Sequence, residues 1–219
     1  MPAKENREYR NLTVEARAVE DQGDEKRIVT GYASTFDEPY VLYDGDGWKY
    51  LEVVDRGAFD ETDMSDVIMQ YDHRGRVFAR TRNNTLTVTP DDKGLFIEAD
   101  LGGTEIGREL YEEIRGGYTD RMSFGFTVSK EYEERETTPE GLRIYTRHIT
   151  GIGKLYDVSA VSIPANDGTS IEADAAARSI RNLTDGVIER MRAERLEEET
   201  LKTERLRSIT NAKIIGGLI

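Results

Sequence analysis

Short segments in which apolar and polar residues alternate follow one another as far as about residue 163, and turn-forming residues separate them. Alternation with a period of two predicts half-buried β-strands. Three pairs of these segments flank an Asp-, Gly- or Pro-containing turn and predict β-hairpins: 12–18 with 27–36, 40–43 with 48–54, and 85–89 with 95–101. A chain with this pattern has to build its core mainly from sheets.

Four further segments are also predicted to be strands: 67–71, 122–132, 142–149 and 154–163. One clear helix is predicted among them, from Thr104 to Arg115, because Thr104 can cap it and Gly116-Gly117 can end it. A short helix is also expected before Asp63. The sequence therefore predicts a mainly β, α+β fold whose antiparallel core, a barrel or a sandwich, carries helices.

From about Ser170 the composition changes, because Pro and Gly almost vanish and Glu, Arg and Ala dominate. Four apolar residues with helical spacing predict an amphipathic helix: Ile180, Leu183, Val187 and Met191. The apolar residues that follow are five apart, which one helix face cannot hold, so 192–207 is predicted to be a solvated helix or a disordered segment rather than a coiled coil. We expect a folded domain over 1–168 and a helical or partly disordered, acidic tail over 169–219.

The formal net charge of the chain is −13, and a surface of this sign repels phosphate backbones and anionic lipids. The most basic stretch, 74–82, contains a single aromatic residue, so no nucleic-acid partner is expected. No run approaches the roughly 20 apolar residues of a membrane helix, and the polar start predicts no secretory signal peptide. The absence of cysteine excludes disulfides and a cysteine nucleophile and fits a reducing cytosol.

Histidine is scarce, since His73 and His148 are the only two in the chain. A hydrolytic serine needs a base within hydrogen-bond reach, and histidine is the usual base near neutral pH. His73 follows the apolar strand 67–71 and should face a loop, where active-site residues often lie. His148 lies inside a predicted strand and is interpreted as an ordinary strand residue. On pattern alone, a purely structural role stays open for both.

Among the serines, Ser123 has the most unusual surroundings. Three large residues, Met122, Phe124 and Phe126, should anchor one face of its strand in a core, while Ser123 and Gly125 share the other face. That bare face leaves room for a substrate backbone, and the loop upstream is a source of oxyanion donors. The alternative is a small-residue face that packs against another element.

Asp157 is the third candidate, because it interrupts an otherwise apolar strand. Burial of an unpaired carboxylate costs several kcal/mol, so Asp157 needs a partner, and an imidazole that it orients is one candidate. An edge position in contact with water is the alternative. Neither a metal nor a cofactor is expected, since there is no HExxH pattern, no EF-hand spacing and no phosphate-binding loop.

Seven segments, in this order, resemble the tailed-phage prohead protease family, which is distantly related to herpesvirus assembly proteases. They are Gly31-Tyr32-Ala33-Ser34-Thr35-Phe36, Arg56-Gly57-Ala58-Phe59, Tyr71-Asp72-His73, Gly94-Leu95, the helix that ends in Gly116-Gly117, Met122-Ser123-Phe124-Gly125-Phe126, and Asp157-Val158-Ser159-Ala160-Val161 with Pro164-Ala165-Asn166. Each motif alone is weak, but their order and spacing together are fairly specific.

The resemblance implies a serine endopeptidase with an antiparallel β-barrel core ringed by helices, in which His73 is the base and Ser123 the nucleophile. The third member falls at Asp157, where the family more usually has glutamate, and the shorter side chain has to reach the imidazole. The implied partners are the major capsid protein or a scaffold segment as substrate, and the chain itself through autoproteolysis and self-association. The implied place is the immature procapsid in the host cytoplasm, with no nucleic-acid or membrane partner.

Two other functions stay open at this point. A capsid-scaffold interaction protein could keep the fold without catalysis, with the C-terminal helix binding capsid subunits. An esterase or amidase could use the same three residues.

Overall fold

A computed structural model describes residues 7–15, 17–18, 26–161 and 175–216. The chain divides into two compact units, Met1–Ile180 and Arg181–Ile219. The domain boundary expected after residue 168 and the turn expected at 21–25 both lie outside the described residues.

The described residues form eleven β-strands, one 3-10 turn (Thr81–Asn83) and two α-helices. The strands are β1 (Glu8–Glu15), β2 (Arg17–Ala18), β3 (Ile28–Thr35), β4 (Tyr40–Gly45), β5 (Trp48–Val54), β6 (Ile68–Tyr71), β7 (Arg74–Arg80), β8 (Leu86–Pro90), β9 (Gly94–Asp100), β10 (Arg121–Thr137) and β11 (Arg143–Val161). The helices are α1 (Glu105–Arg115) and α2 (Ala175–Gly216).

Two sheets contain these strands. The larger has the order β1-β10-β11-β5-β4, and β6 pairs with both β11 and β7. The smaller has the order β2-β3-β9-β8. The mainly β class with two helices is therefore confirmed. The sheets are not closed into a barrel within the described part of the chain, so the barrel core stays a prediction.

The hairpins predicted for β4 with β5 and for β8 with β9 are confirmed. The first predicted hairpin is right only in part, because β2 pairs with β3 while β1 pairs with β10. The start of the chain therefore joins a strand more than a hundred residues away, a partner that local alternation cannot predict. The helix expected before Asp63 is absent among the described residues, and successive turns take its place, such as Ala58 N–H to Asp55 O at 2.9 Å.

The β10–β11 hairpin forms the centre of the larger sheet and contains its two longest strands. Its strands are 17 and 19 residues long, and β11 joins the two segments predicted as separate strands, 142–149 and 154–163. β11 pairs with β10 on one side and runs parallel to β5 and then β6 on the other. This arrangement places Ile68, the first residue of β6, opposite Asp157, and Tyr71, its last residue, opposite Ala160.

Helix α1 begins and ends as predicted. The Gly107 N–H donates to the Thr104 hydroxyl at 3.1 Å, which caps the helix, and Leu110 and Ile114 face the core. Helix α2 includes residues 192–207, for which the sequence predicts either a solvated helix or a disordered segment. Leu196, Leu201 and Leu206 are 66%, 59% and 58% exposed, in agreement with the solvated interpretation. The tail holds equal numbers of acidic and basic residues, so its description as acidic is wrong.

Neither α-helix of the described residues is both long and apolar enough to cross a membrane.

Candidate active site

Strand β10 presents two different faces, as its sequence predicts. Met122, Phe124 and Phe126 are fully buried in the core, and the rings of Phe124 and Phe126 stack with centroids 4.5 Å apart. Ser123 and Gly125 alternate with them and therefore share the opposite face. The large side chains fix the height and register of the strand, and hence the position of the Ser123 hydroxyl.

Strand β11 brings Asp157 to the same face. In the antiparallel ladder Ser123 lies opposite Ser159, and Gly125 lies opposite Asp157. Directly paired residues point to the same side of a sheet, so all four lie together. The Ser159 hydroxyl donates to Asp157 Oδ1 at 3.1 Å, which satisfies part of the hydrogen-bonding capacity of a carboxylate that is 2% exposed.

His73 comes from the tight turn between β6 and β7. Tyr71 pairs with Arg74, so Asp72 and His73 form a two-residue hairpin loop, and both have positive φ angles of 48° and 56°. These values are those of a type I′ turn, in which non-glycine residues cost of order 1–3 kcal/mol each. The Asp72 N–H donates to Ala160 O at 3.0 Å and fastens the turn to β11.

The three side chains form one hydrogen-bonded line. His73 Nδ1 lies 2.5 Å from Asp157 Oδ1, and His73 Nε2 lies 2.5 Å from Ser123 Oγ. In the neutral ring with the proton on Nδ1, that nitrogen donates to the carboxylate and Nε2 accepts from the hydroxyl. The structure thus brings together all three residues predicted from the sequence. The shorter side chain of Asp157 reaches the imidazole because β11 lies directly beside the strand that leads to His73.

Strand β1 covers this line of side chains. The Ser123 hydroxyl lies 2.8 Å from the Arg10 carbonyl oxygen, to which it can donate, and the Tyr9 ring packs edge-on against His73 at 4.5 Å between centroids. As a result the side chain of His73 and the whole of Ser123 are fully buried. The hydroxyl has one proton and two acceptors within reach, His73 Nε2 and Arg10 O.

The bare face of β10 is not the open space that the sequence suggested. A side chain on Gly125 would overlap the Asp157 carboxylate, and it would lie 2.7 Å from the Tyr9 ring. The missing side chain therefore makes room for the protein's own groups. The expectation that this space admits a substrate backbone is wrong for the structure as it stands.

A cluster of charged side chains holds β1 in place. The Arg10 guanidinium is fully buried and binds Glu52 through two hydrogen bonds, at 2.6 and 2.8 Å. Arg147 donates to Glu52 at 2.7 Å and to both oxygens of Glu8 at 2.7 and 2.9 Å. Arg10 also contacts Glu8, and Tyr40 contacts Glu52. Glu8 and Arg10 are on β1, and the others are on β4, β5 and β11 of the same sheet.

The pKa values in this charge cluster are shifted by opposing effects. Burial alone would raise the pKa of Glu52, but the charge of Arg10 and its hydrogen bonds, with help from Arg147, lower it. Burial likewise opposes ionisation of Glu8, and Arg147 and Arg10 together lower its pKa. Burial and the nearby Glu52 charge raise the pKa of Tyr40 well above 10. Both carboxylates are therefore ionised at neutral pH, and the tyrosine is neutral.

The second histidine has a partner but no nucleophile. His148 Nδ1 lies 3.0 Å from Asp55 Oδ1, and its ring stacks on Tyr132 at 4.6 Å between centroids. Its other nitrogen faces Glu134 at 3.6 Å. This agrees with its interpretation as a strand residue on β11. Among the described residues, no group of three or more His, Cys, Asp and Glu side chains could hold a metal ion.

A hydroxyl, an imidazole and a carboxylate linked in this order are the groups that serine hydrolases use. The chain belongs to the caudovirus prohead serine protease family (Peptidase S78), whose model matches residues 12–185. It is a serine protease of phage procapsid maturation, as the resemblance implied.

Among solved structures, the chain is similar to the bacteriophage T4 capsid assembly protease. The alignment covers 70% of this chain and 98% of the T4 chain, with 13% sequence identity and a TM-score of 0.34. No curated protein matches the chain.

Several residues around the site escaped sequence-based prediction. Tyr9 and Arg10 fall in a start that reads as polar and frayed, and nothing in the local pattern indicates their partner strand. Glu52 could have been identified from the sequence, because alternation places it on the same, buried face of β5 as Trp48 and Tyr50. A carboxylate at such a position needs a cation, the same reasoning that singled out Asp157.

Proposed function

We propose that Ser123 is the nucleophile of this protease, His73 its general base and acid, and Asp157 the carboxylate that orients His73. The observation that carries this assignment is the position of the imidazole, whose two nitrogens lie 2.5 Å from Ser123 Oγ and 2.5 Å from Asp157 Oδ1. These contacts match the nucleophile–base and base–orienter geometry that acyl transfer requires.

The first half of the reaction forms an acyl-enzyme. His73 Nε2 takes the hydroxyl proton as Ser123 Oγ bonds to the scissile carbonyl carbon, and the carbonyl π electrons move to oxygen. When the carbon–nitrogen bond breaks, His73 gives that proton to the leaving amine. Asp157 keeps Nδ1 protonated and stabilises the imidazolium between these two transfers.

The second half releases the acyl group. A water molecule replaces the amine, His73 removes one of its protons, and the oxygen attacks the ester carbon. The bond to Ser123 Oγ then breaks, and His73 returns the proton to that oxygen. The new carboxylic acid leaves, and the side chains are as they began.

The substrate is an extension of the major capsid protein or a scaffold segment, and the protease also cleaves itself. The tail beyond residue 168 is a candidate for removal, because it offers basic residues at Lys202, Arg205, Arg207 and Lys213. Helix α2 keeps the first three of these exposed. The protease works in the host cytoplasm, inside the procapsid, and self-associates there without nucleic acid or membrane. An intact C-terminus by mass spectrometry, in a sample that cleaves capsid precursor, would refute removal of the tail.

Co-expression with the cognate capsid precursor tests the assignment directly. Ser123→Ala should fold and lose about 10³-fold or more of the cleavage rate, since the nucleophile is gone. Ser34→Ala is the matched control, because Ser34 is also a fully buried strand serine but lies in the smaller sheet. Cleavage by Ser123→Ala at the rate of the Ser34→Ala protein would refute the assignment.

Two other functions predict different results in the same assays. A scaffold protein without activity would not react with a fluorophosphonate, whereas any serine hydrolase should be labelled at Ser123. An esterase or amidase would be labelled but would leave the capsid precursor intact. The presence of both Ser123 and His73 in hydrogen-bond contact favours a hydrolase over the scaffold function.

A further inference from the structure

The covered state of Ser123 is incompatible with the cleavage of another protein. Ser123 is fully buried, and the side chains of His73 and Asp157 are 0% and 2% exposed. An endopeptidase has to bring a peptide carbonyl to its nucleophile. Some element must therefore leave before a substrate enters. Strand β1 contacts both Ser123 and His73 and lies at the edge of the sheet, whereas β11 lies inside it.

Strand β1 lies as an extended peptide substrate would lie. It is an edge strand that pairs antiparallel with β10, with Arg10 opposite Phe124 and residue 11 opposite Ser123. Added strands of this kind are a common way to bind extended peptides, because the main chain supplies the hydrogen bonds. The carbonyl of Arg10 is the one that faces the nucleophile, at 2.8 Å from Ser123 Oγ.

The side chain of that same residue fills a charged pocket. Arg10 is fully buried, and its guanidinium makes two hydrogen bonds to Glu52, which is also fully buried. Removal of β1 would take Glu8 and Arg10 away together. Glu52 and Glu131 would then remain around a single guanidinium, that of Arg147. The departure of Glu8 and Arg10 leaves the net charge of the pocket unchanged, but it takes both Arg10 hydrogen bonds from the fully buried Glu52 carboxylate, so the next occupant should bring a cation that replaces them.

We propose that Glu8–Glu15 occupies the substrate position of this protease, and that Glu52 forms the subsite for an arginine side chain on the residue whose carbonyl faces Ser123. The substrate class is thus an extended segment with arginine on the acyl side of the cleaved bond. The chain's own strand is a resident copy of such a segment. Tyr9 and Arg10 precede residue 12, at which the family match begins. The proposal rests on the catalytic roles given above.

Fluorophosphonate labelling of Ser123 measures how often β1 leaves. In the full chain, Arg10→Met removes the anchor of the strand and should raise the labelling rate about tenfold or more over wild type. The double variant Arg10→Met/Glu52→Gln removes both charges of the pair, keeps the Glu8–Arg147 ion pair and should show the same rise. It keeps the test open if the single variant does not fold.

Arg80→Met is the matched control. Arg80 binds Asp66 through two hydrogen bonds of 2.6 Å each, so its loss removes an arginine–carboxylate pair that involves neither β1 nor Glu52. Its labelling rate should equal that of wild type. Equal rates in wild type and both Arg10 variants would overturn the proposal that β1 occupies the site. No labelling of any protein, with Ser123→Ala as the blank, would overturn the catalytic assignment itself.

Peptides test the subsite separately. In Arg10→Met, a synthetic peptide of residues 7–15 (REYRNLTVE) should protect Ser123 from labelling at a concentration about tenfold or more below that of the same peptide with Arg10→Leu. The peptide with Arg10→Lys should fall between them. The preference should vanish in Arg10→Met/Glu52→Gln. Equal protection by the arginine and leucine peptides in Arg10→Met would overturn the role of Glu52.

Discussion

Gly125 lies directly across the β10–β11 ladder from Asp157, and the carboxylate of Asp157 occupies the space that a side chain on Gly125 would fill. A methyl group there would press on the carboxylate and on the Tyr9 ring at once. Both groups contact His73, so the position of the imidazole depends on a glycine two residues from the nucleophile.

Gly125→Ala should therefore reduce cleavage of the capsid precursor by about 10²-fold, because displacements of about 1 Å at a reacting centre have effects of this size. It should also destabilise the fold by about 1–3 kcal/mol through overpacking. Denaturant unfolding and a cleavage assay measure the two effects. Gly153→Ala in the same hairpin, where a new Cβ makes ordinary contacts of 3.4 Å or more, should change neither.

Asp157→Asn tests the carboxylate without a change of size. The amide cannot hold the Nδ1 proton as an anion does, so the cleavage rate should fall by about 10⁴-fold while the protein stays folded. Asp55→Asn is the matched control, since Asp55 makes a carboxylate–imidazole contact with the second histidine, His148. A wild-type rate for Asp157→Asn would remove Asp157 from the catalytic residues.

Asp157→Glu, although it introduces the residue that the resemblance implies at this position, should impair the enzyme. The present carboxylate already lies 2.5 Å from His73 Nδ1 in a site that is 2% exposed, so an added methylene has no free space. Overpacking should cost about 1–3 kcal/mol of stability and at least about tenfold in rate. The same cleavage assay gives the answer, and an increase over wild type would show that the aspartate is too short.

The charge cluster that holds β1 predicts the behaviour of the protein in acid. Glu8 and Glu52 have pKa values below their ordinary 4.5 in the folded state. Their contribution to stability is complete above about pH 4.5 and is lost as the pH falls through the lowered values. The free energy of unfolding should therefore drop below about pH 4.5, which denaturant titrations at several pH values can measure.

Glu52→Gln should weaken this acid dependence and lower stability at neutral pH by about 3–5 kcal/mol, because the fully buried Arg10 guanidinium then has to rely on the partly exposed carboxylate of Glu8. Asp66→Asn breaks the partly exposed pair with Arg80 and should cost less than about 1 kcal/mol. If the free energy of unfolding of Glu52→Gln falls with decreasing pH as it does in wild type, other carboxylates cause the loss of stability in acid.

Local features of the fold could be predicted from the sequence, and distant pairings could not. The turns of the β4–β5 and β8–β9 hairpins lie in consecutive residues, so their Asp, Gly and Pro cues sufficed. The pairings of β6 with β11 and of β1 with β10 join residues 89 (Ile68 and Asp157) to 118 (Glu8 and Phe126) positions apart. Alternation shows which residues face a core, but it does not show which strand lies alongside.

The same division holds for the site. Asp157 and Ser123 drew attention because each broke the pattern of its own strand. Arg10 broke no pattern, since a polar residue in a polar start is unremarkable until its partner Glu52 is known. The missing side chain of Gly125 does indicate a space on that face of β10. The sequence does not show that Asp157 and Tyr9, rather than a substrate, fill this space.

The parallel pairing of β6 with β11 also determines when, during synthesis of the chain, the three side chains can come together. His73 lies 50 residues from Ser123 and 84 from Asp157 along the chain, and the carboxylate joins them only when β11 fits between β10 and β6. A chain still emerging from the ribosome, with β11 inside the exit tunnel, holds a serine and a histidine without their carboxylate. If Asp157 has the proposed catalytic role, a nascent chain cannot act as a protease until synthesis has passed β11.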